Sequence, residues 1–229
     1  MDRYYAQSYE GVQSLMSKVF WWMAGALALT GATAYYIFSN PVLRDGLMSR
    51  PWLFLTLCIV QLGVVLVLSA ALHRMSYPLA FSLYTLYALL TGVTMSSIFV
   101  VYTMGSIATT FFVAAGMFAT MALYGAFTKA DLTSIGTFLQ MALWGIILAM
   151  VINMFVGNSI MELIIAIVAV IIFAGLTAYD VQRIKEFAQR ADMQDEATSK
   201  VALLASLMLY LDFINLFLNL LTIMGQRKD

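Results

Sequence analysis

Seven apolar stretches alternate with short polar breaks along the chain. A bilayer-spanning helix needs about 20 residues. The stretches Val19–Phe38, Trp52–Leu72, Leu79–Tyr102, Ile107–Phe127, Ile135–Val156, Ile160–Tyr179 and Val201–Met224 all reach that length. The breaks between them carry turn and helix-stop residues: SNP at 39–41, RP at 50–51, HRMSYP at 73–78, TMGS at 103–106, TKADLTS at 128–134 and GNS at 157–159. No charge occurs from Met75 to Thr128, so the third and fourth stretches are expected to form a tight hairpin. Only the connection over 183–200 is long and charged, and no soluble domain or internal repeat interrupts the series. The pattern predicts an all-α integral membrane protein: a seven-transmembrane-helix bundle forming one domain over 19–229, after a polar N-terminal tail at 1–18.

Composition agrees. The 229 residues are 62% hydrophobic and 10% charged, with a mean hydropathy of +0.89. A water-soluble domain of this size could not bury so much apolar surface. Zero net charge argues against nucleic acid as a partner. Cys58 is the single cysteine and forms no internal disulfide, and His73 is the single histidine, which excludes a metal centre built on Cys and His. The first apolar run is too long for a signal-peptide core and lacks a small-residue cleavage site, so it is expected to be an uncleaved first helix. Eight Lys and Arg residues fall on the side of the N-terminus and four on the other, which places the N-terminus in the cytoplasm. The C-terminus is then outside if the last stretch spans, and cytoplasmic if it is re-entrant. Two small-residue rows, Ala24, Ala28, Ala32 and Ala115, Ala119, have the spacing that lets helices approach closely and are expected to be ordinary packing faces. The sixteen methionines read as flexible packing rather than a copper path.

One feature violates the apolar pattern. Asp212 lies in the middle of the last stretch, with no other charge between Lys200 and Arg227. A carboxylate at that depth costs roughly 2.5 kcal/mol or more. Asn215, Asn219 and Thr222 follow it at spacings of three, four and three, so the four share one helical stripe that must face the bundle interior or a wet cavity. Asp180 closes the charge-free part of the sixth stretch. If that helix runs to Arg190 and the next starts near Val201, the two aspartates lie ten and eleven residues from the loop and meet at one depth. Two adjacent carboxylates cannot both ionise cheaply, so they would share a proton and titrate as a unit. The residues alone leave three roles open: a proton-sensitive switch, a cation site or an acid–base dyad. The bland alternative places Asp180 at the membrane edge beside Arg183. Ser159 and Glu162 match a capping box. Lys129 and Asp131 are expected to solvate a short loop. His73 and Arg74 end the second stretch, where such residues usually anchor by snorkelling.

The segments LTGVTMSSIFVVYTMGSIATTF (90–111), YGAFTKADLTSIG (124–136), GLTAYDVQRI (175–184) and LYLDFINLFLNLL (209–221) resemble the Bax inhibitor-1, or transmembrane Bax inhibitor motif, family, most closely its bacterial inner-membrane branch. The resemblance covers nearly the whole chain from the first stretch onward. It implies a seven-helix bundle with the last helix at its centre, and a pH-sensitive leak of calcium ions with no catalysis and no bound cofactor. Asp180 and Asp212 then map onto the proton-sensing pair, which would hold calcium transiently, and Arg74 onto the basic residue that engages the pair in the closed state. Asn215 and Asn219 would line the path. Some calcium-leaking relatives carry a carboxylate in the second helix where this chain has Gln61. Partners implied are the lipid bilayer and calcium, with conduction inside a monomer. A second hypothesis is a non-transporting modulator that binds membrane proteases or other membrane proteins. A third is an intramembrane aspartyl protease, but those enzymes share a GxGD arrangement and Asp212 has no glycine before it.

Overall fold

Asn40 and Pro41 illustrate how the chain starts its helices. The Asn40 Oδ1 accepts from the amides of Val42 and Leu43 at 3.1 and 3.4 Å, and proline fills the first helical position, which lacks an amide partner anyway. The computed structural model describes residues 2–190 and 196–228; the side chains of residues 2–10, His73, Arg190 and residues 196–197 lie outside that description. The helices are α1 (Asp2–Ser39), α2 (Pro41–Met48), α3 (Pro51–Ala71), α4 (Tyr77–Met95), α5 (Ile98–Val101), α6 (Met104–Phe127), α7 (Thr133–Val156), α8 (Ser159–Arg190) and α9 (Glu196–Met224). A 3-10 turn, Leu72–Arg74, follows α3.

Among the described residues six spans are long and apolar enough to cross a membrane: α3, α4 with α5, α6, α7, α8 and α9. The chain is therefore built as an integral membrane protein. The first helix differs from the rest, because Trp21, Trp22, Tyr35, Tyr36 and interspersed Gly and Thr dilute its hydropathy. It also begins at Asp2, so the stretch expected as a polar tail continues the helix. No proline interrupts it, and Leu15 and Val19 bury the face that carries it forward. The eight-residue α2 was not expected.

The third stretch is broken rather than continuous. Ser96 and Ser97 donate their hydroxyls to Val93 O and Thr94 O at 2.7 and 2.8 Å, competing with helix propagation between α4 and α5.

Contacts divide the chain into two compact units. The first comprises Met1–Tyr102, Ala188–Leu207 and Lys228–Asp229; the second comprises Thr103–Phe187 and Met208–Arg227. In the first, α4 packs against both α1 and α3. Thr30 Oγ1 donates to Ala88 O at 3.0 Å, and Gly92 permits this approach, since a Cβ there would stand 2.6 Å from Thr33 Cβ. The Tyr84 hydroxyl donates to Trp22 O at 3.1 Å and lies 2.6 Å from Ser206 Oγ. The buried face of α1 is Met23, Ala26, Thr30 and Ala34. Ala24, Ala28 and Ala32 point outward, which corrects the expected packing row. The face that is buried mixes alanines with Met23 and the polar anchor Thr30. On α6 the buried face is likewise Ala114, Phe118 and Ala122, while Ala119 is exposed.

The second unit holds α6, α7 and most of α8 and α9. Phe213 is clamped edge-on by Phe111 and Phe118 with ring centroids 5.5 and 5.7 Å apart, and Phe111 also meets Phe217 at 6.1 Å. These contacts run α6 antiparallel to α9.

Candidate functional site

Asp180 on α8 and Asp212 on α9 are each only 6% exposed. Their carboxyl groups hydrogen-bond to one another. A carboxylate oxygen can only accept, so two carboxyls this close can be joined only when one of them carries a proton. Asp180 Oδ1 and Asp212 Oδ2 are buried with no hydrogen-bond partner among the described residues. The pair thus presents two unspent acceptors in a dry environment, an arrangement suited to holding or exchanging a proton or to meeting a cation. The cation acting on Asp180 is Arg183, three residues on and exposed. The structure corrects the register expected from the loop. Helix α9 begins at Glu196, sixteen residues before Asp212, whereas Asp180 lies ten residues before the end of α8. The carboxyls meet although their distances to the helix ends are unequal, α9 extending further past the pair than α8 does.

The turn of α8 around Asp180 is fixed from both sides. Gly125 of α6 lies against the Ala178 backbone, so a side chain there would displace α8, and Gly136 of α7 lies against the Tyr179 ring, which a side chain there would force aside. On the far side of Asp180, the Gln182 amide takes hold of the α6–α7 loop: it accepts from Leu132 N at 2.9 Å and donates to Ala130 O at 2.8 Å. Lys185 Nζ donates to Ala126 O at 2.6 Å, satisfying a carbonyl at the C-terminal end of α6, where the helix dipole favours a cation. Sequence reading missed these four positioning residues. Their signal was present: glycines flanking the TKADL loop, and two long polar side chains one turn apart just after Asp180. Within the loop, Lys129 is exposed as expected. Asp131 does more than solvate: its Oδ1 accepts from Thr133 N at 2.9 Å, and hydrogen bonding to the Thr133 side chain first, then to its amide, holds the Asp131 carboxyl below the usual carboxylate range.

The stripe beyond Asp212 forms as the spacing implied. Asn219 is buried and Asn215 half-buried. Their amide groups donate four residues back, to Leu211 O and Asn215 O at 2.8 and 2.7 Å, and Thr222 Oγ1 donates to Leu218 O at 3.1 Å. These bonds engage the donors and leave the Oδ1 acceptors outside them. Thr110 of α6 adds an unanticipated buried hydroxyl with no partner among the described residues.

At its far end the stripe reaches a cleft of about 620 Å³, lined by Asn153, Ser159, Glu162, Asn219, Thr222 and Arg227. Here the capping box is corrected. Asn158, not Ser159, caps α8, its Oδ1 accepting from Ile160 N and Met161 N at 2.9 and 3.0 Å. Asn158 is placed for this by Gly157, whose φ of 67° ends α7 in the left-handed region. Glu162 is thereby free to pair with Arg227 at 3.5 Å.

Arg74 is exposed, in the 3-10 turn of the other unit. His73, expected as an anchor, has its side chain outside the described residues. Gln61 on α3 donates from Nε2 to Leu90 O and Thr94 Oγ1, both at 3.2 Å, so it packs α3 on α4. Among the described residues no group of three His, Cys, Asp or Glu could hold a metal ion, so cation contact at the pair would rest on two carboxyls.

Residues 12–229 match a family model described as "Inhibitor of apoptosis-promoting Bax1". The chain is 42% identical over 234 residues to the inner membrane protein YbhL of Escherichia coli K12, covering 100% of both chains. It is 44% identical over 214 residues to an uncharacterized protein of Borreliella burgdorferi, covering 93% of this chain and 92% of that one. An uncharacterized protein of Deinococcus radiodurans is 39% identical over 218 residues, 95% of this chain and 92% of that one.

Proposed function

The chain belongs to the Bax inhibitor family of membrane proteins, and from that premise we propose that it is a pH-sensitive calcium leak channel gated by Asp180 and Asp212. The observation that carries the reading is the buried carboxyl–carboxyl hydrogen bond, with one unpartnered oxygen on each side. With one proton between them the two groups carry a single negative charge, which partly compensates a divalent cation for the water it sheds. Loss of that proton doubles the charge, and the carboxylates then separate or draw in a cation. Either response moves α8 against α9 at the depth where the bundle is driest. Calcium is cargo here and the pair performs no catalysis.

The bundle we propose has seven spans, α1 included, with α9 at its centre. In support, α9 is the most buried of the candidate spans, with 67% of its apolar window inside the protein. The charge count places the N-terminus in the cytoplasm, and the likeness to YbhL places the protein in the bacterial inner membrane. The protein acts as a monomer, with its path beside Asn215 and Asn219. Arg74 holds the closed state as a mobile counter-charge to the pair. The deciding experiment is calcium influx into liposomes containing the purified protein, across a pH series. Influx that is pH-dependent in the wild type and pH-independent in Asp180→Asn and Asp212→Asn supports the reading; influx equal to that of empty liposomes at every pH rejects it.

A further inference from the structure

We infer that the cleft between the start of α8 and the end of α9 is a docking vestibule for a hydrated divalent cation, with Glu162 as its attracting carboxylate and Arg227 as a displaceable counter-ion. The inference rests on the leak reading for its physiological use, but the binding site stands on its own geometry. The cleft holds about 620 Å³. A cation with six waters occupies roughly 200 Å³ at about 30 Å³ per water, so it enters without losing its hydration shell. Glu162 is the one carboxylate among the lining residues, and Asn219, Thr222 and Asn153, whose Oδ1 also accepts from Asn158 N, add neutral polar side chains to the lining. The C-terminal end of α7, which ends at Gly157, adds the negative pole of a helix dipole.

Arg227 lies 3.5 Å from Glu162, with side-chain exposures of 64% and 48%. So exposed a pair is weak, and an arriving divalent charge competes with a single guanidinium on favourable terms. From Asn219, which lines the cleft, Asp212 is seven residues along the same helical stripe, about 10 Å. The cleft therefore opens onto the polar row that ends at the aspartate pair, and all of these residues belong to one compact unit.

The test is a Mn²⁺ titration of the full-length protein in detergent, free Mn²⁺ being read by electron paramagnetic resonance. Wild type, Glu162→Gln, Arg227→Gln and the double variant are compared, with Asp212→Asn as a control. Both positions are substantially exposed, so the substitutions leave the core untouched. Arg227→Gln should tighten Mn²⁺ binding by roughly threefold to tenfold, the range for removing one screened charge at this distance. Glu162→Gln should weaken it by at least as much, and the double variant should match Glu162→Gln, because Arg227 acts through Glu162. Asp212→Asn should leave this binding unchanged. Equal affinities in wild type, Glu162→Gln and Arg227→Gln would overturn the inference, as would an Arg227→Gln effect that persists undiminished without Glu162. The two readings fail separately: absence of calcium influx in liposomes defeats the leak while the Mn²⁺ response survives. A pH-dependent influx with charge-blind Mn²⁺ binding defeats the vestibule alone.

Discussion

Replacing either aspartate by asparagine removes the shared proton while keeping side-chain size and hydrogen-bonding capacity. The structure sets a ceiling on what should be lost. Two adjoining carboxyls share at most one proton, so the proposed switch turns on one proton. A one-proton switch changes the ratio of its two states by at most tenfold per pH unit, equivalent to about 1.4 kcal/mol. Calcium influx in liposomes at about pH 6, 7 and 8 should then vary by no more than about a hundredfold in the wild type. Asp180→Asn and Asp212→Asn should each give a flat profile, and the double variant should add nothing, since two members of one unit do not contribute independently. Asp212→Ala supplies a second readout. It leaves Asp180 buried with no carboxyl partner, at a cost of about 1–3 kcal/mol in thermal stability that Asp212→Asn avoids. The reasoning is refuted if both single Asn variants keep the wild-type profile, or if influx rises more steeply than one proton allows.

Gly125→Val should force α8 away from Ala178 O, destabilising the fold by about 1–3 kcal/mol in thermal unfolding and blunting the pH response through displaced Asp180; a normal pH profile would separate the glycine from the site. Arg74→Ala should raise basal influx at neutral pH, and influx equal to wild type at equal protein density would return Arg74 to the role of anchor and leave Arg183 as the cation of the pair. Asp131→Ala should lower thermal stability at pH 7. Hydrogen bonding to the Thr133 side chain, and secondarily to its amide, holds the folded carboxyl below its unfolded value of about 4, so its contribution is present above that value and disappears as pH falls through the lower one. A stability difference that does not shrink at all as the pH is lowered below the unfolded carboxylate range would contradict that assignment.

Much of this architecture is legible from hydropathy alone, because a helix in lipid must be long, apolar and internally bonded. The breaks at Asn40-Pro41 and Gly157-Asn158 are legible for a different reason: cap and left-handed positions admit few residue types. The face each helix buries is not legible. On α1 the regular alanine row is outside and a row mixing Met23, Thr30 and Ala34 is inside, since the choice depends on what α4 presents at Ala88 and Gly92. The same holds for Glu162. The SxxE spacing offers a local partner, and the structure supplies a distant one, Arg227, because Asn158 takes the cap first. Asp212 announced itself by being wrong for its surroundings. Gln182 and Lys185 did not, because a polar side chain near a helix end violates nothing.

The cost of Asp212 can now be assigned to its environment. A lone carboxylate there would need a cation within reach, and the structure gives it another carboxyl instead. That is a poor solution for stability: apolar residues of similar volume would fill the same space without two unpartnered buried oxygens. What it provides is a site whose charge changes by one unit with a single proton, held in register by contacts on both flanks of Asp180. Gly125 and Gly136 admit α8 to close range, and Gln182 and Lys185 tie it to the end of α6 and the loop beyond. A rigid cradle around a group that is itself costly concentrates the response. In the proposed switch, loss of the proton would meet a turn of α8 that is held by these contacts, so the repulsion would act chiefly on α9. Along α9 the next polar groups are Asn215 and Asn219, whose amides donate to the helix's own backbone. In the switch proposed above, repulsion at the carboxyl pair would displace α9 and carry the polar row with it.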